Sequence, residues 1–399
     1  MNPHSAAAWA AGFFLASCLF SHTVAPRLSL LLLGAGFSAW TVLNERSSVH
    51  RIPPVWLAFA LWAAWSALSI AWSADVARSV KEFHNEFLYT GLALWMCYVA
   101  AQAPNALRAI PSVVALAAGG ACAAALYNYP QGDAAYAKGL HGGAGNHSSM
   151  LLALMPLAIT AWWYAARTRA GRWVPAAAVA LALLFVVSAY TTLNRTVWLG
   201  FAAELLIMLG LAVAARQRPW HVRTKIQLAV IAMVIPVTAI AMTWLVHGER
   251  VEKGAPAELK KDVRTVIWPE AFELVEERPW TGYGVGRGLL RDTLTKETHE
   301  GLAWHAHNLF LDTLLQTGAP GLALLCLLLA SLLREAWRLA RGPDPAAAAC
   351  GIALAGIVVG MLVRNMTDVL WVRHNALLFW GVAGALLGWA RSRTAAPAG

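Results

Sequence analysis

Apolar stretches long enough to cross a hydrocarbon core recur along almost the whole chain, and no other feature narrows its possible folds so far. A spanning helix needs about 20 predominantly apolar residues. With no water in the bilayer interior, such a segment must satisfy its own backbone hydrogen bonds, which leaves helices as the form these stretches can take. They lie near residues 6–22, 26–43, 54–73, 83–102, 109–129, 147–166, 172–190, 196–214, 224–246, 309–333, 346–366 and 374–392. This predicts an all-α polytopic membrane protein of about 12 transmembrane helices, with both termini on one side. Composition agrees, since only 13% of residues are charged against roughly 25% in soluble domains.

Lysine and arginine in short loops orient such a chain, because they resist translocation. With a cytoplasmic N-terminus, fifteen basic residues fall in the inner loops and tail, from Arg46 and Arg51 to Arg391 and Arg393. Seven fall in the short outer loops: Arg27, Arg78, Lys81, Lys138, Arg195, Arg364 and Arg373. Both termini are therefore expected in the cytoplasm. The net charge of +10 is accounted for by attraction to anionic membrane lipids, with no nucleic-acid partner. The first apolar segment lacks a basic leader and a small-residue cleavage site, so a retained helix is expected. Cys18, Cys97, Cys122, Cys326 and Cys350 all fall in predicted helices without metal-ligand spacing and read as small core residues.

Three regions follow: helices 1–9 over residues 1–246, a loop domain over 247–305, and helices 10–12 over 306–399. The middle region carries eleven of the 21 acidic residues and, by the charge rule, lies on the outer side. Within it Val263, Val266, Ile267, Phe272, Leu274 and Val275 recur at helical spacing. Pro269 is expected to bend or restart that helix and Pro279 to end it. The run Gly282-Tyr283-Gly284-Val285-Gly286-Arg287-Gly288 reads as a loop whose glycines let backbone pass close to a ligand or helix end. Its spacing superficially matches a dinucleotide fingerprint, but no βαβ unit surrounds it.

His307-Asn308, followed nine residues later by Gly318-Ala319-Pro320-Gly321, opens the tenth spanning helix. A neutral imidazole there can take a proton near physiological pH; in isolation the same residues read as a helix entry with an asparagine cap and a glycine-proline kink. Asn194-Arg195 opens the eighth helix, and Arg264 with Trp268 lies in the loop domain. Arginine forks grip phosphate oxygens bidentately, although an interfacial arginine also serves as a snorkelling anchor. Two of them in one compartment with a histidine point to an anionic ligand.

These elements resemble the O-antigen ligases, in the superfamily that also holds O-antigen polymerases and bacterial O-linked oligosaccharyltransferases. The resemblance rests on His307-Asn308-x9-Gly318-x2-Gly321, on Asn194-Arg195, and on Arg264-x3-Trp268 followed by Pro279 and Gly282-Tyr283-Gly284. It implies a GT-C-like glycosyltransferase of the bacterial inner membrane with its active site facing the periplasm. Its donor would be an undecaprenyl-diphosphate-linked O-antigen and its acceptor the lipid A-core oligosaccharide. His307, Arg195 and Arg264 would be catalytic, the arginines offsetting diphosphate charge and the histidine receiving the acceptor proton in one inverting displacement.

Asn194, Trp268, Tyr283, Asn308, Lys81, His147, Arg364 and Asp368 form the expected substrate-binding set. For Arg364 and Asp368 a buried ion pair and contact with the acceptor both stay open. Glu204, inside the eighth helix, needs a partner or a cavity. His299, His305 and His307 lack an evident fourth ligand and no Asp-x-Asp pair occurs, so neither metal nor cofactor is expected. The length of 399 residues leaves no room for the C-terminal region common in protein-glycosylating members. The polymerase shares the donor and remains the nearest alternative. A transporter or flippase for polar substrates would instead predict inverted repeats and midplane charges.

Overall fold

The computed structural model describes residues 3–44, 54–129, 140–168, 173–192, 194–215, 264–288, 305–369 and 373–395. Among these, all regular structure is helical: α1 Pro3–Ser17, α2 Val24–Asn44, α3 Pro54–Leu68, α4 Val76–Phe83, α5 Tyr89–Ala100, α6 Ala106–Asn128, α7 Ala144–Thr168, α8 Trp173–Thr191, α9 Arg195–Ala214, α10 Arg264–Glu277, α11 Leu309–Ala340, α12 Pro345–Asn365 and α13 Arg373–Ala395. Eight helical segments here are long and apolar enough to cross a membrane: α2, α3 with its 3₁₀ extension to Trp72, α6, α7, α8, α9, α11 and α12. The ninth predicted stretch, 224–246, and residues 247–263 and 289–304 of the loop domain lie outside the described residues.

The first expected span is a 15-residue helix, α1, shorter than a full crossing. The fourth is composite. Asp75 caps α4 by accepting from Arg78 N at 2.9 Å, and the wider turn His84–Leu88 then hands the chain to the apolar α5. Wide turns of this kind are frequent at functional positions.

α12 lies at the centre, packed against α7, α9, α11 and α13. α5 and α13 pair closely because α13 presents glycines at helical spacing: a Cβ on Gly384 would strike Leu94 O, and one on Gly388 would strike Tyr98 O. Phe59 of α3 meets Trp380 of α13 edge-on, with ring centroids 5.1 Å apart. Glu204 is fully buried in α9, where its carboxyl occupies the space left by the missing side chain of Gly360 on α12.

Two expectations change. Cys18, Cys97, Cys122 and Cys350 are buried, but Cys326 is exposed on α11, so it is no core residue. α10 is one helix from Arg264 to Glu277 with Pro269 inside it, so the proline does not restart it. Pro269 removes only the donor that Thr265 O would otherwise take, near the open start of the helix, and the remaining hydrogen bonds carry the helix on. The chain does leave the helix before Pro279, as expected.

Candidate functional site

The two glycine motifs meet in one junction. Pro320 has no N–H for the carbonyl of Gln316, and Ala319 N donates to Pro279 O at 2.8 Å instead of bonding within α11. The freed carbonyls of Leu315 and Gln316 accept from Tyr283 N and Gly284 N, both at 2.9 Å. The glycine loop thus docks into a break in α11, which answers where those backbone groups go. Gly318 sits at φ 66, ψ −174, a region open essentially to glycine. A Cβ there would strike Trp280 O, and one on Gly282 would lie 2.6 Å from Gln316 O.

This junction positions the segment that opens α11. Asn308 caps the helix, its Oδ1 accepting from Phe310 N at 2.9 Å and Leu311 N at 3.1 Å, while its Nδ2 donates to Met366 O at 3.2 Å. The preceding residue, His307, adopts φ 49. Such a left-handed conformation at a histidine needs surrounding structure to hold it and clusters at working sites. Trp268 Nε1 supplies one hold by donating to Ala306 O at 2.9 Å, as Ala271, Ala306, Leu311 and Leu315 close a small apolar cluster beneath.

Around His307 the fold assembles charge from three distant segments. Asp368 Oδ1 lies 3.4 Å from His307 Nδ1 and 3.1 Å from His305 Nε2, and its Oδ2 lies 3.4 Å from Arg364 Nη2. His305 Nε2 also lies 3.1 Å from Arg287 Nη2. One nitrogen cannot serve both partners at once: it donates to Asp368 with its proton on Nε2, or accepts from Arg287 in the other tautomer. Burial lowers the His305 pKa; the Asp368 hydrogen bond opposes this and the Arg287 charge reinforces it. Burial would raise the Asp368 carboxyl, but hydrogen bonds from both histidines and the charge of Arg364 outweigh it, holding Asp368 well below the usual carboxylate range. Asp368 is therefore an anion at any working pH, aimed at the histidine ring.

The expected site residues divide. His307, Asp368 and Arg364 come together, and Arg364, only 4% exposed, forms an ion pair with Asp368. Arg264, first residue of α10, lies within electrostatic range of Arg364. Asn194 caps α9 through Thr196 N at 3.1 Å and donates to Ser148 Oγ at 3.1 Å, which fixes where Arg195 enters its helix. The Arg195 side chain is outside the described residues. Asn308 and Trp268 engage backbone, which makes them holders of the histidine segment. Tyr283 is buried, donating to Glu277 Oε2 at 2.5 Å with Arg278 over its ring; burial and Glu277 push its phenol up to about 12. His147 is enclosed between α7 and α8, its Nε2 2.8 Å from Ser188 Oγ. Lys81 lies exposed on α4, in its last turn.

His305, His307 and Asp368 place three ligand atoms within 4.8 Å of one another. His299 lies outside the described residues, and Asp368 was not weighed in that role. Arg287 reaches the same His305 nitrogen and Arg364 the other oxygen of the Asp368 carboxylate, so the cluster is already charge-compensated by guanidinium groups, an environment that opposes a cation. Arg287, read only as part of the glycine loop, and His305, weighed only as a metal ligand, are the functional candidates that sequence reasoning did not place at this site. The available signals were an arginine flanked by glycines in the docking loop and a histidine two residues before His307.

Comparison with known proteins comes to the same place. Residues 180–326 match the O-antigen ligase family model. That span holds Asn194-Arg195, α10, the glycine loop, His307-Asn308 and the α11 break; Arg364 and Asp368 fall beyond it. Over 375 residues the chain is 26% identical to an O-antigen ligase of Pseudomonas aeruginosa, covering 93% of this chain and 86% of that protein. The resemblance read from the motifs is thereby borne out.

Proposed function

We propose, starting from the O-antigen ligase domain carried by residues 180–326, that this protein transfers an O-antigen glycan from undecaprenyl diphosphate to the lipid A-core oligosaccharide. The reaction takes place at the periplasmic face of the inner membrane, to which residues 247–305 project from a bundle of about 12 spans. The observation that carries the reading is the His307–Asp368 pair, with Arg364 on the Asp368 carboxylate, Arg287 on the neighbouring His305, and Arg264 within electrostatic range of Arg364.

The chemistry follows from that pair. With its Nδ1 proton directed to Asp368, His307 keeps its lone pair on Nε2, and the carboxylate stabilises the imidazolium that forms. Nε2 takes the proton of an acceptor hydroxyl as its oxygen attacks the anomeric carbon. The bond from that carbon to the diphosphate breaks on the opposite face, which inverts the centre. The leaving diphosphate keeps the electron pair, and its charge is met by arginine: Arg195 and Arg264 by their matching motifs, Arg287 by its place beside His305. No step needs a metal or cofactor.

Polymerase chemistry would use the same donor with a second lipid-linked glycan as acceptor. Purified protein in proteoliposomes, given a polyprenyl-diphosphate-linked glycan and either lipid A-core or further lipid-linked repeat units, separates the two. Glycosylated lipid A-core is the expected product. Chain extension alone would identify a polymerase, and flux of the donor without a new glycosidic bond would identify a transporter. Transfer that survives a chelator is expected if arginines supply the counter-charge.

A further inference from the structure

We infer that Asp312 and Gln316, on successive turns of α11, form a positioning clamp that holds the His307 segment and the Arg287 loop in register. The inference rests on the proposed glycan-transfer reading of the His307 site and adds two residues that never touch the reacting atoms. Asp312 Oδ1 accepts at 3.3 Å from the N–H of Ala306, the residue between His305 and His307. Its Oδ2 accepts from Gln316 Nε2 at 2.7 Å. That contact sets the Gln316 amide so that Oε1 accepts from Gly286 N at 2.9 Å, one residue before Arg287. A single line of hydrogen bonds therefore runs from the histidine segment, through two side chains one turn apart, to the arginine loop.

Each link is directional. Asp312 is 6% exposed and both its oxygens accept. The Gln316 amide has one donor end and one acceptor end, and each faces a partner of the opposite kind. Trp268 pins the same residue through the carbonyl of its other peptide group, so the left-handed turn at His307 is held by both its neighbour's N–H and C=O. Asp312 and Gln316 also line a cavity with Glu86, so the clamp cannot gain a further carboxylate there without repulsion.

Polarity makes the clamp testable by exchange. In D312N, the new amide can accept from Ala306 N only by presenting Nδ2 to Gln316. Gln316 must then turn over and face Gly286 N with its own N–H. In Q316E, two carboxylates meet where a 2.7 Å hydrogen bond stood. In the exchange D312N/Q316E every donor again faces an acceptor: Asn Oδ1 takes Ala306 N, Asn Nδ2 donates to the new Glu, and that Glu takes Gly286 N. The number of carboxylates is unchanged.

The full-length variants would be reconstituted with a polyprenyl-diphosphate-linked glycan and purified lipid A-core. Each single variant should lower kcat about 10- to 100-fold with a smaller change in donor KM, and the exchange should recover most of that loss. Thermal unfolding midpoints in detergent identify a variant that merely fails to fold. Near-normal turnover in D312N, or an exchange variant that folds yet is no better than its worse single parent, overturns the clamp. His307→Ala run alongside keeps the two ideas apart: full activity there would sink the underlying reading, whereas inactivity there with no recovery in the exchange sinks the clamp alone.

Discussion

Replacing Asp368 by Asn tests the pairing on which the chemistry depends. The substitution keeps the size of the side chain and its acceptor for Val369 N, 2.8 Å away, but removes the charge facing His307 at 3.4 Å. A hydrogen bond to a charged group contributes about 1.5–3 kcal/mol. If that stabilisation is realised as the imidazolium forms, its loss lowers kcat roughly 10- to 200-fold, at 1.36 kcal/mol per factor of ten. The same change strips Arg364, 4% exposed, of its carboxylate partner. Breaking a buried pair in this way costs about 3–5 kcal/mol of stability. Two readouts are therefore needed: turnover at saturating lipid-linked donor and lipid A-core, and the thermal midpoint in the same detergent. The expected variant is less stable, still folded at the assay temperature, and slow in kcat with donor KM nearly unchanged. A folded Asp368→Asn protein with more than half the parental kcat would refute the idea that Asp368 orients and stabilises the histidine.

Four further outcomes are expected. His307→Ala should lose about 10²- to 10⁴-fold in transfer while still binding the lipid-linked donor; loss of donor binding in proportion to activity would move the residue to the diphosphate site. Arg264→Lys and Arg287→Lys keep the charge without the planar fork, so both should impair transfer substantially, and normal rates in both would remove the bidentate role. Gly318→Ala should lower stability by about 1–3 kcal/mol from its backbone conformation alone, with more from the strike on Trp280 O, which a melting curve can read. His141, fully buried beside Asn375 Oδ1 at 2.7 Å, has its pKa lowered to about 4, chiefly by burial. The unfolded chain therefore takes up this proton first, and stability falls as pH drops from about 6.5 towards 4, by about 3 kcal/mol at most; a His141→Gln variant with an equally steep acid slope would contradict this.

Local pattern was enough for the eight spans among the described residues, because a run of apolar residues states its preference for helix and hydrocarbon without reference to the rest of the chain. The Gly318-Ala319-Pro320-Gly321 break was equally legible, since a missing N–H disrupts a helix wherever it stands. His307 stood out from its motif, and Asp368 and Arg364 were named, but not their meeting with it. That meeting joins positions 61 residues apart and depends on the end of α12 reaching the start of α11, which helix packing decides. Arg287 was hidden for the same reason: its chemistry is that of any loop arginine until the glycine loop docks into the freed carbonyls of α11. Asn308 and Trp268 were read as ligand-binding because polar and aromatic residues in a motif suggest contact with substrate. In the fold their donors meet the backbone carbonyls of Ala306 and Met366, a pairing invisible in sequence because a side-chain N–H suits many partners and only the three-dimensional arrangement says which one is in reach.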